Sequence, residues 1–194
     1  MNLVLFDFDG TLTKRETLFA FIRFTVGDLR FLGGIILLSP VLAAHAFGFV
    51  GAERAKRAVL SYFFKGWARP KLETAGERFC AEALPSLMNE ETLRTFESHK
   101  KSGAEVCLVS ASCDAWLQPF CRTNGIRCIC TELEYDAADR FTGRFRTPNC
   151  KGPEKRRRIE AIYRLADFAR VIAYGNSSAD LQMLEMAHEK HLLR

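Results

Sequence analysis

Histidine is scarce in this chain. The four present (His45, His99, His188, His191) form no arrangement suited to a zinc site or a phosphohistidine mechanism. His188 and His191, three apart near the C-terminus, read as surface residues. No Cys-x-x-Cys pair exists to seed a metal ribbon or a redox centre, and the seven cysteines are odd in number and scattered. Cys128 and Cys130 would share one face of a strand, which reads as packing. Internal repeats at solenoid or propeller periods are missing, as are low-complexity tracts, which excludes a repeat array and a disordered chain. Met1–Asp9 carries no secretory signal, so the expected compartment is reducing and cytoplasmic. Charge, finally, is missing from Phe31 to Ala52, 22 residues flanked by Arg30 and Glu53.

What remains is a chain of 194 residues, 48% apolar, long enough for one substantial core with a smaller insert. The net charge of +5 suits an anionic substrate, a nucleic acid or a membrane surface equally. The densest basic run, Lys155-Arg156-Arg157-Arg158, falls where a helix should begin. It is expected to be a solvated face and not a nucleic-acid patch.

Asn2–Asp7 is a short apolar run closed by Asp-Gly-Thr, as in a buried parallel strand. Glu105–Ser110, Ile126–Thr131 and Arg170–Tyr174 are further strands. Helical patterns cover Asp114–Asn124 and Pro153–Ala169, with Pro153 suited to a first turn. Strands alternating with helices predict an α/β fold with a Rossmann-like parallel sheet. Phe141–Phe145 is expected to be the tip of a small hairpin.

Between the first two strands, Lys14 to Pro85 reads as helices throughout. The expected organisation is a catalytic core of residues 1–13 and 86–194 with a helical cap, 14–85, inserted. The uncharged stretch Phe31–Ala52 is long enough for a membrane span. Pro40, His45 and four glycines argue against one, and a span there would part the two halves of the core across a bilayer. A buried or membrane-resting helical hairpin is the better expectation.

Four segments that end a predicted strand or begin a helix carry chemistry, which is where open α/β sheets build their sites. In Asp7-Phe-Asp-Gly-Thr11, Asp7 and Asp9 point the same way, because strand side chains repeat every two residues. Two neighbouring acids suit a carboxylate nucleophile, a hard metal ion and a second carboxyl that protonates a leaving oxygen. Val109-Ser-Ala-Ser112 offers hydroxyls and backbone N–H groups as a phosphate cradle. Cys150-Lys-Gly-Pro-Glu-Lys155 brings Lys151 to a helix N-terminus. Tyr174-Gly-Asn-Ser-Ser-Ala-Asp180 sets Asn176 and Asp180 four apart, each with an oxygen for a hard cation.

In order and spacing these segments resemble the four motifs of the haloacid dehalogenase superfamily. Leu108–Ser112, Thr142-Gly143, Cys150–Lys155 and Gly175-Asn…Asp180-Leu-Gln-Met-Leu184 are similar to its phosphoserine-phosphatase-like branch, subclass IB, in which a helical cap follows the first motif. The resemblance implies that Asp7 attacks phosphorus to form an aspartyl-phosphate. Asp9 would protonate the leaving alcohol and then activate water. Ser110 and Lys151 would hold the phosphoryl oxygens, and Asp7, the Asp9 carbonyl, Asn176 and Asp180 would hold Mg²⁺. Thr11, Ala111, Ser112 and Glu16 would contact substrate, Glu16 where phosphoserine phosphatases meet the substrate amine. The branch usually has aspartate where this chain has Asn176, so weaker Mg²⁺ affinity is expected.

The apolar cap is similar to that of phosphatidylglycerophosphatase C and points to a lipid or amphiphilic phosphate, with contact at the inner face of a membrane. A phosphoserine-like small substrate, a phosphotransferase sharing every catalytic residue, and a lapsed enzyme that only binds phosphate or membrane stay open. No nucleic-acid partner is expected.

Overall fold

The computed structural model describes residues 1–193. The chain opens with strand β1 (Asn2–Phe6) and then runs through five helices. These are α1 (Leu18–Val26), α2 (Asp28–Ala46), α3 (Ala52–Phe64), α4 (Arg69–Glu82) and the single turn α5 (Leu84–Leu87). α6 (Glu90–Lys101), β2 (Glu105–Cys113), α7 (Asp114–Asn124) and β3 (Arg127–Thr131) return to the core. A small ribbon, β4 (Leu133–Tyr135) and β5 (Phe141–Phe145), precedes α8 (Pro153–Ile162), β6 (Arg170–Gly175), α9 (Leu181–Glu185) and β7 (Glu189–Leu192).

Five strands form one parallel sheet in the order β3-β2-β1-β6-β7. β1 lies at its centre, with Phe6 level with Leu108 on one side and Tyr174 on the other. Every apolar residue of β1 from Leu3 to Phe6 is buried, because helices cover both faces. Alternate residues feed opposite layers: Val4 and Phe6 pack with the cap-side helices, Leu3 and Leu5 with α8 and α9. Phe6 stacks on Tyr174 at 4.4 Å and meets Phe96 edge-on at 5.5 Å. Each such buried ring contributes about 1.5–3 kcal/mol.

The cap leaves and rejoins the core through two adjacent segments. Thr13 bridges Met88, Lys14 N donates to Leu87 O, and Asn89 N donates to Leu12 O, both at 2.8 Å. The stem is therefore hydrogen-bonded, and the helices above it are held over the sheet. At Gly76, α4 runs so close to α7 that a Cβ would strike the carbonyl of Ala115.

Three expectations are corrected here. The helix at Pro153 stops at Ile162, where Tyr163 turns extended, and a short 3₁₀ turn at Leu165–Asp167 follows. Phe141–Phe145 is a strand paired antiparallel with Leu133–Tyr135; the hairpin's turn is Asp136–Arg140, with Asp139 left-handed. Of the basic run, only Arg156 and Arg157 are solvated, each paired with a glutamate of its own helix. Lys155 and Arg158 are buried. They lie three apart, Lys155 one turn before the buried Ile159 and Arg158 next to it, on the helix face that packs against the sheet.

Candidate active site

The site forms at the carboxyl ends of β1, β2 and β6, where the chain leaves the sheet. Asp7 follows β1 directly, its N–H donating to Tyr174 O at 2.9 Å. A wide helical turn, Phe8–Leu12, comes next. Gly10 takes φ +76° within it, and the Asn176 side chain lies where a Cβ would be. Glycine there lets the first and last site loops touch.

Asp7 and Asp9 line one cavity of about 460 Å³ together with Glu16, Ser110, Ala111, Lys151, Lys155, Asn176 and Asp180. The four motif segments are thus brought to one place. Their environments differ. Asp7 Oδ1 lies 2.6 Å from Lys155 Nζ, and Oδ2 accepts from the Thr11 hydroxyl at 3.2 Å. Burial pushes Asp7 up to about 6 against the pull of Lys155, and the Asp180 charge adds to the rise. Among the described residues, Asp9 forms no ion pair. Its Oδ1 accepts from the backbone N–H (2.8 Å) and hydroxyl (2.6 Å) of Thr17, and its Oδ2 accepts from the Ser112 hydroxyl. Burial and the charge of Glu16 hold Asp9 above the usual carboxylate range, opposed by those hydrogen bonds.

Lys155 is the residue that sequence reasoning missed. It is 1% exposed, and its ammonium also lies 2.6 Å from Asp180 Oδ1. Burial would lower its affinity for a proton, but the two carboxylates outweigh burial and raise it. The same ion pair holds Asp180 below its ordinary value despite burial. Lys151, the expected phosphate ligand, is on the exposed rim of the cavity. The usable signal was helix phase: Lys155 lies three residues before Arg158 and four before Ile159, on one helix face.

Other expected contacts are redirected. Thr11 is fully buried and Ser112 nearly so; neither lines the cavity, and each uses its hydroxyl to fix a carboxyl, Asp7 and Asp9 respectively. Ser110 and Ala111 do line it, the Ser110 Oγ accepting from Ser112 N at 3.0 Å. Glu16 lies on the rim, its carboxyl raised by burial and by the charge of Asp7. Asp180 has both oxygens engaged: Oδ2 accepts from Asn176 N, Ser177 N and the Ser177 hydroxyl. It organises the last loop more than it offers free lone pairs.

Two cap residues also reach the site. Thr17 Oγ1 accepts from the Trp116 indole N–H at 3.0 Å while donating to Asp9, so a buried tryptophan orients the second acid. Lys56 of α3 donates to the Ala111 carbonyl and to Asn149 Oδ1 (2.8 Å), joining cap to core beside the end of β2. Leu18, Phe19, Leu42, Ala55 and Val59 form the apolar roof.

Among the described residues, no three His, Cys, Asp or Glu side chains converge on one point. Asp7 and Asp180 nonetheless converge on a single cation, the Lys155 ammonium, and the Asn176 side-chain amide, which carries a neutral oxygen, packs against Gly10 at the same cavity. Such an all-oxygen donor set suits Mg²⁺ in kind, with fewer free charges than three acids would give.

A sequence profile described as haloacid dehalogenase-like hydrolase matches residues 4–185. Protein CicA of Caulobacter vibrioides is 32% identical over 189 residues, covering 97% of this chain and 84% of its own. Among solved structures, a protein of unknown function from Bordetella pertussis Tohama I superposes with a TM-score of 0.77 at 22% identity, covering 96% and 86% of the two chains. A phosphoserine phosphatase carrying an analogue of its phospho-aspartyl intermediate superposes at 0.66 with 22% identity, covering 97% and 84%. At these identities the structural likenesses speak for the fold.

Proposed function

The chain belongs to the haloacid dehalogenase-like hydrolases, and on that premise we propose that it is a Mg²⁺-dependent phosphomonoester hydrolase working through an aspartyl-phosphate on Asp7. One observation carries the reading: two carboxyls share a cavity, the first against a buried ammonium and the second among neutral donors. Asp7, paired with the Lys155 ammonium, is thereby the nucleophile, and Asp9, held above the usual carboxylate range by burial and the charge of Glu16, is the acid placed to exchange a proton with the leaving group.

An Asp7 carboxylate oxygen attacks phosphorus as the bond to the leaving oxygen breaks, and Asp9 gives its proton to that oxygen. Asp9, now ionised, takes a proton from a water that attacks the aspartyl-phosphate, releasing phosphate and regenerating Asp7. Ser110 and the backbone beside Ala111 meet phosphoryl oxygens. Lys155 keeps Asp7 and the incoming dianion from repelling each other, and Lys151 supplies a second positive charge at the rim. Asp7, the Asp9 carbonyl and Asn176 would hold Mg²⁺, with Asp180 behind them, and the ion would supply further charge neutralisation at the transferring group.

The roof of Leu18, Phe19, Leu42 and Val59 supports an amphiphilic phosphate as substrate, in keeping with the resemblance to phosphatidylglycerophosphatase C. Seven free cysteines support a reducing, cytoplasmic setting. A second reading has its own observation. Glu16 and Lys56 both face the cavity, a pair suited to a small zwitterion such as phosphoserine.

The test is hydrolysis of p-nitrophenyl phosphate with Mg²⁺, compared with Asp7→Asn. Turnover abolished by the substitution and by chelation supports the reading; turnover surviving Asp7→Asn overturns it. A higher kcat/KM for short-chain lipid phosphates than for phosphoserine supports the amphiphilic substrate, and the reverse order favours the zwitterion.

A further inference from the structure

α2 is long and apolar enough to cross a membrane, yet it is not a core helix: only 6% of its most apolar 18-residue window is buried. Six of the twelve large hydrophobic side chains exposed among the described residues fall between Leu29 and Phe49. Leu29 is 90% exposed, Phe47 77% and Phe49 85%. At roughly 100° per residue, Leu29, Leu32, Ile36, Leu37, Pro40 and Phe47 fall within an arc of roughly 140°. The opposite face is spoken for. Leu38 is buried, Gly34 admits the rings of Tyr62 and Phe63, and Leu42 and His45 line the catalytic cavity.

Charge brackets this stripe. Arg23 and Arg30 stand at its start, Arg54 and Arg57 beyond its end, all exposed. The acids of this span are Asp28, which pairs with Arg23, and Glu53, which accepts from Asn149 N. Apolar residues between cationic ends are what a bilayer surface carrying anionic lipids accepts. A second copy of the chain fits less well, since either orientation of two stripes sets arginines against arginines.

We infer that α2 and the Phe47–Val50 turn rest in the surface of an anionic bilayer, with the stripe in the acyl boundary and the arginines among the headgroups. Spanning is disfavoured because it would strip α2 from Tyr62 and Phe63. Docked this way, the catalytic cavity lies one helix diameter, about 10 Å, from the lipid. The inference does not depend on the catalytic reading, and Asp7→Asn should bind vesicles as the wild type does.

The experiment is co-sedimentation of the full chain with vesicles of phosphatidylcholine alone or mixed with phosphatidylglycerol, at low and high salt. The wild type is expected to pellet with the anionic vesicles at low salt. The combined variant Leu29→Glu, Ile36→Glu, Phe47→Glu should pellet at least about tenfold less, with an unchanged circular dichroism spectrum. If that variant misfolds, Phe47→Ser with Phe49→Ser on the exposed turn is read in its place. Wild type left in the supernatant with every vesicle, variants that pellet equally, or a dimer that the variants convert to monomer would each overturn the inference.

Discussion

Lys155 Nζ lies 2.6 Å from Asp7 Oδ1, in a buried ion pair at the centre of the site. The ammonium reaches Asp180 on its other side, so one cation serves two carboxylates. Removing it leaves uncompensated buried charge, which costs about 3–5 kcal/mol. Lys155→Met is expected to lose that much stability in urea unfolding and about 100-fold or more in kcat/KM. Lys151→Met, on the exposed rim, should stay within about 0.5 kcal/mol of wild type and act mainly on KM. Equal stability losses for the two lysines would contradict the placement.

The hydroxyl of Thr17 sits between Asp9 and Trp116, donating to the first and accepting from the second. Thr17→Val removes a donor from the acid and leaves a buried indole N–H unpaired, at a cost of about 1–3 kcal/mol. Turnover should fall about tenfold with little change in KM, because the acid acts on the leaving group more than on bound substrate. Thr17→Ser should restore most of it. Steady-state kinetics on the three proteins decides, and a serine variant as poor as the valine would count against the relay.

Asn176 offers a neutral amide where the resemblance to the phosphoserine-phosphatase-like branch implies a carboxylate. Asn176→Asp adds one negative charge beside Asp7 and Asp180, which should lower the Mg²⁺ concentration for half-maximal activity by roughly tenfold. Metal titration of activity in the two proteins is the check. An unchanged midpoint would show that this side chain lies outside the ion's reach.

Asp114, at the start of α7, accepts from Leu133 N, and burial pushes it up to about 6. The folded protein then holds a proton that the unfolded chain, with a value near 3.8, has released. Between those values stability falls as pH rises, because the native state binds more protons there. Asp114→Asn keeps an acceptor for Leu133 without the charge. Its melting temperature should exceed the wild type's above pH 6, and the gap should close as the pH falls toward 4. A gap independent of pH would rule out this origin.

The strands around the site were legible because a buried parallel strand writes itself as a short apolar run. Asp7, Asp9, Ser110 and Asn176 could be named because each follows such a run at a fixed offset. The apolar stretch of the cap was equally visible, but whether it faced a core or solvent was not. Composition alone is the same for a buried helix and an exposed one, and Leu38 and Leu37 differ only in their turn around the axis.

By itself, then, the sequence determined the parallel α/β core, the inserted helices and the acids at the tip of β1, all set by local periodicity and spacing. Tertiary structure alone decided that the Lys155 ammonium meets Asp7 and Asp180, and that Thr11 and Ser112 serve carboxyls and not the cavity. It also decided that Lys56 ties cap to core. Those outcomes depend on how a helix is rotated when it docks and on which distant group its side chain then meets. No residue's immediate neighbours in the chain encode that.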